Sequence, residues 1–154
     1  MSEDKFLAAK RVLFIGFVHY DYHIQIKKTL ELAGAIVDFF PVMRHNIYYT
    51  LLRNLNTKLF LDYNRAYSRG ILNKIRNRTY EYIFVFQGFQ LPDEFYIELR
   101  KLNPKARFLN YHWDAVGKTI YGNTLLDIAP FFDKVYSFDR KDCETYEGLH
   151  YLPL

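Results

Sequence analysis

The stretch of residues 11–40 constrains the fold more than any other part of the sequence. It opens with the continuous apolar run "RVLFIG", which is typical of a strand covered on both faces. Four apolar side chains then recur at helical spacing in residues 21–34: Tyr22, Ile26, Leu30 and Ala33. Gly34 provides a helix stop, and "AIVDFF" follows as a second apolar run. Strand, helix and strand in this order predict a right-handed βαβ unit with parallel strands.

The remaining sequence continues this alternation of strands and helices. Strand-like runs occupy residues 82–88, 107–114 and 134–138, and a short one follows in "LHYLPL". Helices are predicted from Pro92 and from Asp139, which is well placed as an N-cap. Residues 1–154 are therefore predicted to form one α/β domain with a doubly wound, mostly parallel sheet of five or six strands. The favoured strand order is 2-1-3-4-5, and functional residues belong at the carboxyl ends of the strands.

Residues 43–80 are predicted to be a basic, aromatic helical insertion after strand two, broken near Gly70. Residues 44–78 contain eight basic residues and one acid, a charge of +7, so the rest of the chain carries −3 of the net +4. Such a segment either meets phosphates or a membrane surface, or is simply a solvated helical face. The residues expected to make membrane or phosphate contacts are Arg53, Arg65, Arg69, Arg76 and Arg78.

Composition excludes several classes of protein. A hydrophobic content of 50%, with 14 Tyr and 14 Phe, is incompatible with intrinsic disorder. The single cysteine, Cys143, cannot form an internal disulfide and favours a reducing cytoplasm. No apolar run approaches the ~20 residues that span a bilayer, and "MSEDK" is unlike a signal peptide. Because the basic segment lacks an RNA-binding fingerprint, nucleic acid is not an expected partner.

The segment "HYDYH" at the end of strand one is rich in chemically active side chains. It is preceded by Gly16 alone, without the G-x-G-x-x-G of a dinucleotide site or a P-loop, so no cofactor is expected. His19 and His23 have metal-ligand spacing on a helix, but no second compact motif supplies a third ligand, so no metal is expected. Two interpretations of His19 remain: a general base beside Asp21, or a histidine that hydrogen-bonds its own loop.

A second cluster, "NYHWDAV", follows strand four. Trp113, the only tryptophan, could stack on a sugar face, although core packing explains it about as well. Asp114 could accept hydrogen bonds from hydroxyl groups or cap the following segment. His112 is the third polar-capable side chain gathered at this strand end.

Four segments together resemble the N-terminal half of bacterial glycosyltransferases that build capsule and lipopolysaccharide: "RVLFIGF…IKKTLELAGAIVDFF", "YIFVFQG", "RFLNYHWDAV" and "FFDKVYSFDRKDCETYEGLHYLPL". The resemblance is one of order and spacing over nearly the whole chain. It implies the GT-B architecture, in which two facing Rossmann-like domains enclose the active site. It also implies metal-independent transfer of a sugar from a nucleotide-sugar to a glycan or lipid-linked acceptor.

Combined with the side chains at the strand ends, this resemblance leads to a hypothesis for the roles of individual residues. His19 would be the base, with Asp21 and Asp114 as catalytic or orienting groups. The acceptor-binding side chains would be Tyr20, Gln87, His112 and Trp113. The basic segment would contact the inner-membrane surface or a lipid-linked diphosphate, so the chain would be cytoplasmic or peripheral at that membrane.

The donor-binding domain that the resemblance implies is not among these 154 residues. We therefore expect this chain alone to be inactive in sugar transfer. It would be an excised acceptor domain, a natural truncated gene product or half of a two-chain enzyme. The alternative is a non-catalytic module that docks on a membrane or a partner protein through residues 44–78.

Overall fold

A computed structural model describes residues 6–44, 46–88, 90–116 and 124–153. Its strands are β1 (Arg11–Gly16), β2 (Ile36–Pro41), β3 (Tyr82–Phe86), β4 (Arg107–His112), β5 (Lys134–Ser137) and β6 (Leu149–Tyr151). They form one six-stranded sheet in the order β2-β1-β3-β4-β5-β6, and every neighbouring pair is parallel. The predicted α/β, doubly wound sheet and its strand order are confirmed, and the fold is Rossmann-like.

The helices occupy the connections between these strands. They are α1 (Tyr22–Leu32), α2 (Ile47–Leu55), α3 (Thr57–Ile75), α4 (Asp93–Leu102), α5 (Leu125–Ile128) and α6 (Arg140–Thr145), with a 3-10 turn at Ala129–Phe131. Gly34 follows α1 with a φ of 97°, the left-handed backbone that glycine adopts without strain. The predicted cap of α6 is confirmed, since the Asp139 carboxylate accepts hydrogen bonds from the backbone N–H groups of Lys141 and Asp142.

The predicted break near Gly70 is wrong, because α3 runs through Gly70 without interruption. The basic segment is instead divided at Asn56, whose backbone is extended between α2 and α3. The Asn56 side chain accepts a hydrogen bond of 3.0 Å from the backbone N–H of Leu59. An asparagine that caps a new helix is a stronger local signal than a single glycine, which a helix tolerates at a cost of about 1 kcal/mol.

The two faces of the sheet are covered differently. Helices α2 to α6 pack on the side chains of one face, which include Leu13, Ile83 and Phe108. We call this the covered face. The opposite face carries Phe14, Phe84, Phe86, Tyr111 and Tyr136 and is met by α1, so we call it the α1 face. None of the residues of α1 is fully buried. Within the described ranges, no helix is both long and apolar enough to cross a bilayer.

Candidate functional site

The carboxyl ends of β1, β3 and β4 bring together most of the residues predicted to be functional. Strands β1 and β3 are neighbours, and the chain passes from β1 to β2 on one side of this pair and from β3 to β4 on the other. This topological switch point is where open parallel sheets usually bind ligands, because the two following loops diverge and leave a crevice. His19 follows β1, Gln87 follows β3 and Trp113 follows β4.

Trp113 is the centre of an aromatic cluster at this edge. Its ring centroid lies 4.9 Å from that of Phe86, 5.2 Å from Tyr22 and 6.3 Å from His19, each in an edge-to-face arrangement. The indole is only half-buried, whereas Phe86 beneath it is buried. One part of the indole is therefore fixed by packing while another part is accessible, as stacking on a ligand requires.

Tyr20 projects from the same loop. Its backbone has a φ of 44°, the left-handed region that non-glycine residues rarely occupy. The phenol is 77% exposed, and its ring stands edge-on to His19 at 4.3 Å between centroids. This loop conformation places His19 between two aromatic rings and keeps it open to solvent.

His19 and Asp21 both lie in the loop between β1 and α1. Within the described residues, no hydrogen bond or ion pair joins these two side chains. Asp21 occupies the N-cap position of α1 but makes no side-chain capping hydrogen bond there. Both residues are exposed at the edge of the crevice, so each is accessible to a ligand hydroxyl.

Gln87 and Asp114 are joined by a hydrogen bond. The Gln87 amide nitrogen donates to Oδ2 of Asp114 at 3.0 Å, across the ends of two neighbouring strands. Gln87 is only 1% exposed and has a φ of 74°, and its backbone carbonyl accepts a hydrogen bond of 2.7 Å from Asn110. Gln87 therefore acts from beneath the surface by orienting the Asp114 carboxylate, which is half-buried.

His112 does not line the crevice as expected, because it is fully buried at 0% exposure. Side chains alternate between the two faces of a strand, so Tyr111 and Trp113 share the α1 face while His112 points to the covered face. Direct contact between His112 and an acceptor is incompatible with this placement.

The five arginines predicted to contact phosphates or a membrane differ in their surroundings. Arg78 forms an ion pair of 2.7 Å with Asp38, and Arg65 forms one of 3.4 Å with Asp62. Arg69 and Arg76 line a shallow groove that Glu98 of α4 also lines. Arg53 lies on α2 and is exposed. Four of the five arginines therefore have an acidic side chain close by.

Sequence reasoning missed two features of the basic segment. The first is a groove between β2 and α3 that contains Arg44 and Lys74, neither of which was selected as a site residue. Gly70, which removes a side chain from the middle of α3, was the sequence signal for it. The second is an outward apolar ridge on α2, formed by Ile47, Tyr48, Leu51 and Leu55. Its spacing of three and four residues was visible in the sequence.

No group of three or more His, Cys, Asp or Glu side chains in the described part of the chain is arranged to hold a metal ion. Comparison with protein-family models, curated proteins and solved structures finds no match for this chain. The site must therefore be interpreted from its own geometry.

Proposed function

We propose that this chain is the acceptor-binding half of a glycosyltransferase of the GT-B type, which acts on a growing capsular or lipopolysaccharide glycan. The observation that carries the proposal is the half-exposed Trp113 beside Tyr22 and His19 at the switch point of the sheet. A sugar ring has an apolar face and polar rims, so it matches an indole surrounded by hydrogen-bonding side chains.

The neighbouring side chains suit the chemistry of sugar transfer. An acceptor hydroxyl attacks the anomeric carbon of the donor sugar, and the bond from that carbon to the nucleotide diphosphate breaks. His19 accepts the hydroxyl proton, and Asp114, held by Gln87, accepts a hydrogen bond from another acceptor hydroxyl. Asp21 is exposed on the same loop and orients the acceptor. The nucleotide-sugar is held by a second domain that faces this edge.

Trp113 makes the proposal directly testable, because it is the only tryptophan in the chain and its fluorescence reports on the site alone. Oligosaccharides selected on a bacterial glycan array are titrated while the emission of Trp113 is followed. We expect a saturable emission change that is lost in Tyr22→Ala and retained in Tyr48→Ala, a matched exposed tyrosine on α2. The proposal is contradicted if no saccharide shifts the emission, or if both variants behave alike.

A specific observation favours a second function, docking on an anionic membrane surface. Helix α2 packs inward through Tyr49 and Leu52, yet Ile47 and Leu55 on its outer side are 79% and 71% exposed. Arg53 on the same helix and Lys58 at the start of α3 are also exposed. A helix with an exposed apolar ridge in a basic segment can lie at the interface of a bilayer that contains anionic lipids.

Vesicle sedimentation tests this docking. The double variant Leu51→Gln/Leu55→Gln removes half of the ridge, and Ile24→Gln/Leu32→Gln makes the same chemical change at exposed positions of α1. We expect the α2 variant to lose most of its binding to phosphatidylglycerol vesicles and the α1 variant to keep it. Equal binding of the wild type to phosphatidylcholine vesicles would exclude a role for the cations.

A further inference from the structure

The groove between β2 and α3 is a second candidate binding site, separate from the aromatic cluster at Trp113. Its volume is about 420 Å³, within the range of small-molecule pockets. Phe40, Tyr63 and Tyr67 provide aromatic walls, Gly70 opens one side, and Arg44 and Lys74 provide the charge. The groove thus combines aromatic surface with two cations.

Both cations are held over the aromatic walls. The Arg44 guanidinium carbon lies 5.7 Å from the centroid of the Tyr67 ring, and the Lys74 ammonium lies 6.0 Å from that of Phe40. No carboxylate lines the groove, and within the described residues neither cation forms an ion pair. Asp38, which precedes Phe40 by two residues on β2, is bonded to Arg78 and Tyr80 instead. The positive charge of the groove is therefore not offset.

A groove on the opposite side of α3 also contains cations, but its charge is different. A groove of about 210 Å³ there is lined by Arg65 and Arg69 but also by Glu94 and Glu98. Cations on the α4 side thus have acidic neighbours, whereas those on the β2 side have none in the groove. An anion is expected to prefer the β2 side, because it does not compete there with a carboxylate.

The aromatic walls add no negative charge of their own. The Tyr67 hydroxyl donates a hydrogen bond of 2.7 Å to the carbonyl of Pro41, and burial raises the pKa of Tyr67 to about 12. The Tyr63 hydroxyl accepts a hydrogen bond of 2.9 Å from the Asn46 side chain. The Tyr67 phenol is therefore neutral near pH 7, and hydrogen bonds fix the positions of both hydroxyl groups.

Gly70 keeps the groove open. A Cβ atom built on Gly70 would meet no atom within 4 Å, so the space beside this part of α3 is empty. A neighbouring cavity of about 650 Å³ shares Pro41 and Arg44 with the groove and reaches His19. A ligand anchored at Arg44 can thus extend toward the end of β1.

We propose that the β2–α3 groove binds a phosphorylated small molecule, with the phosphate on Arg44 and Lys74 and an apolar or planar part against Phe40 and Tyr67. Guanidinium and ammonium groups are the usual partners of phosphate oxygens. The rings of Phe40 and Tyr67 favour a ligand whose phosphate carries a planar or aliphatic group. This site binds its ligand whether or not the Trp113 cluster binds a glycan. The phosphate ester can be a free metabolite or a lipid headgroup.

Calorimetric titration of the full chain with inorganic phosphate, inorganic pyrophosphate and phenyl phosphate tests whether the ligand is a free phosphate compound. Arg44→Gln/Lys74→Gln removes both cations, and Arg69→Gln/Arg76→Gln makes the same charge change on the other side of α3. We expect the first double variant to bind these probes about tenfold more weakly or worse, and the second to bind them nearly as the wild type does. Tighter binding of phenyl phosphate than of inorganic phosphate identifies the aromatic walls as part of the site.

Gly70→Leu tests the space rather than the charge. It places a bulky apolar side chain in the groove without altering any charge, whereas Gly70→Ala adds only a methyl group. Circular dichroism verifies that both variants fold. We expect Gly70→Leu to abolish binding and Gly70→Ala to retain it. Retained binding in a folded Gly70→Leu variant would overturn the proposal.

Vesicle flotation with phosphatidylglycerol tests whether the ligand is a lipid headgroup. If soluble probes fail to bind but vesicle binding depends on Arg44, Lys74 and the open space at Gly70, the ligand is a lipid headgroup. The proposal is wrong if neither soluble probes nor vesicles bind, or if the two double variants lose binding equally. The Leu51→Gln/Leu55→Gln variant separates this site from membrane docking, because it should bind pyrophosphate normally.

Discussion

The covered face and the α1 face of the sheet belong to the same strands but differ in how much of the fold they support. On the covered face, side chains from α2 to α6 enclose Leu13, Ile83 and Phe108, which are fully buried. On the α1 face, Phe84 and Tyr136 are only partly buried. The covered face is therefore enclosed more completely, and the α1 face presents partly exposed aromatic side chains next to the candidate site.

Adjacent residues of β3 provide the strongest test of this difference, since Ile83 points to the covered face and Phe84 to the α1 face. We expect Ile83→Ala to lower the free energy of unfolding by about 2–5 kcal/mol, because it leaves a cavity in a closed core. Phe84→Ala should cost about 1–2 kcal/mol despite removing more atoms, because the Phe84 ring is already partly in water. Urea unfolding measures the free energy of unfolding of both variants. If Phe84→Ala lowers it as much as Ile83→Ala or more, the proposed difference between the two faces is wrong.

The sheet could be predicted from the sequence because its signals are local. The apolar run of β1 ends at Gly16 as expected, and the alternation of strands and helices indicates the parallel sheet that is found. The division of the basic segment was predicted at the wrong residue, since Gly70 is a weak breaker while the side chain of Asn56 caps α3. The capping hydrogen bond of Asn56 therefore decided where the helices divide, and the low helix propensity of Gly70 did not.

The sequence predicted the candidate site only where its residues lie at the ends of predicted strands. The neighbouring positions of His19, Gln87 and Trp113 follow from strand order alone. The burial of His112 follows from the alternation of side chains along β4, which could have been applied to the sequence. For the groove at Arg44 and Lys74 the sequence offered only Gly70 as a signal, and its charge could not be predicted because it depends on which side of a long helix faces acidic neighbours.

Gly88, which follows β3, tests how tightly the covered face is packed. Its φ is 98°, and an added Cβ would lie 2.5 Å from both the Tyr96 hydroxyl oxygen and Cγ1 of Val85 on the covered face. The Tyr96 hydroxyl also donates a hydrogen bond of 2.6 Å to the Gly88 carbonyl. We expect Gly88→Ala to cost about 2–4 kcal/mol through backbone strain and overpacking together. Gly148→Ala is the matched control, because Gly148 has a φ of 85° but open space around it, so it should cost only the strain.

Asp38 tests whether polar contacts stabilise the covered face in addition to apolar packing. Partial burial disfavours the charged form of Asp38, but hydrogen bonds from Tyr80 and Arg78 outweigh this effect and hold the pKa of Asp38 below its usual value. A lowered folded-state pKa means that the stabilisation is present above the unfolded pKa of ~3.9 and is lost as the pH falls through the folded-state value.

We therefore expect Asp38→Asn to destabilise the protein by about 1 kcal/mol at pH 7, with the difference from wild type shrinking below about pH 4. Asp62→Asn breaks an exposed ion pair with Arg65 and should cost less than about 0.5 kcal/mol. Urea unfolding at pH 7, 5 and 3.5 measures both differences. A gap that stays constant with pH would show that the Asp38 carboxylate contributes through shape alone.

Substitution of Gly70 is expected to have the opposite sign, because it should stabilise the protein. Gly70 lies within α3, which covers the sheet, yet the space beside it is empty, so a methyl group there creates no overlap. We expect Gly70→Ala to raise the free energy of unfolding by about 0.5–1 kcal/mol, because alanine loses less backbone entropy in a helix than glycine does. Thermal unfolding followed by circular dichroism detects this gain as a higher Tm. A lower Tm would mean that the groove closes over Gly70 in solution, and the covered face would then be packed along the whole of α3.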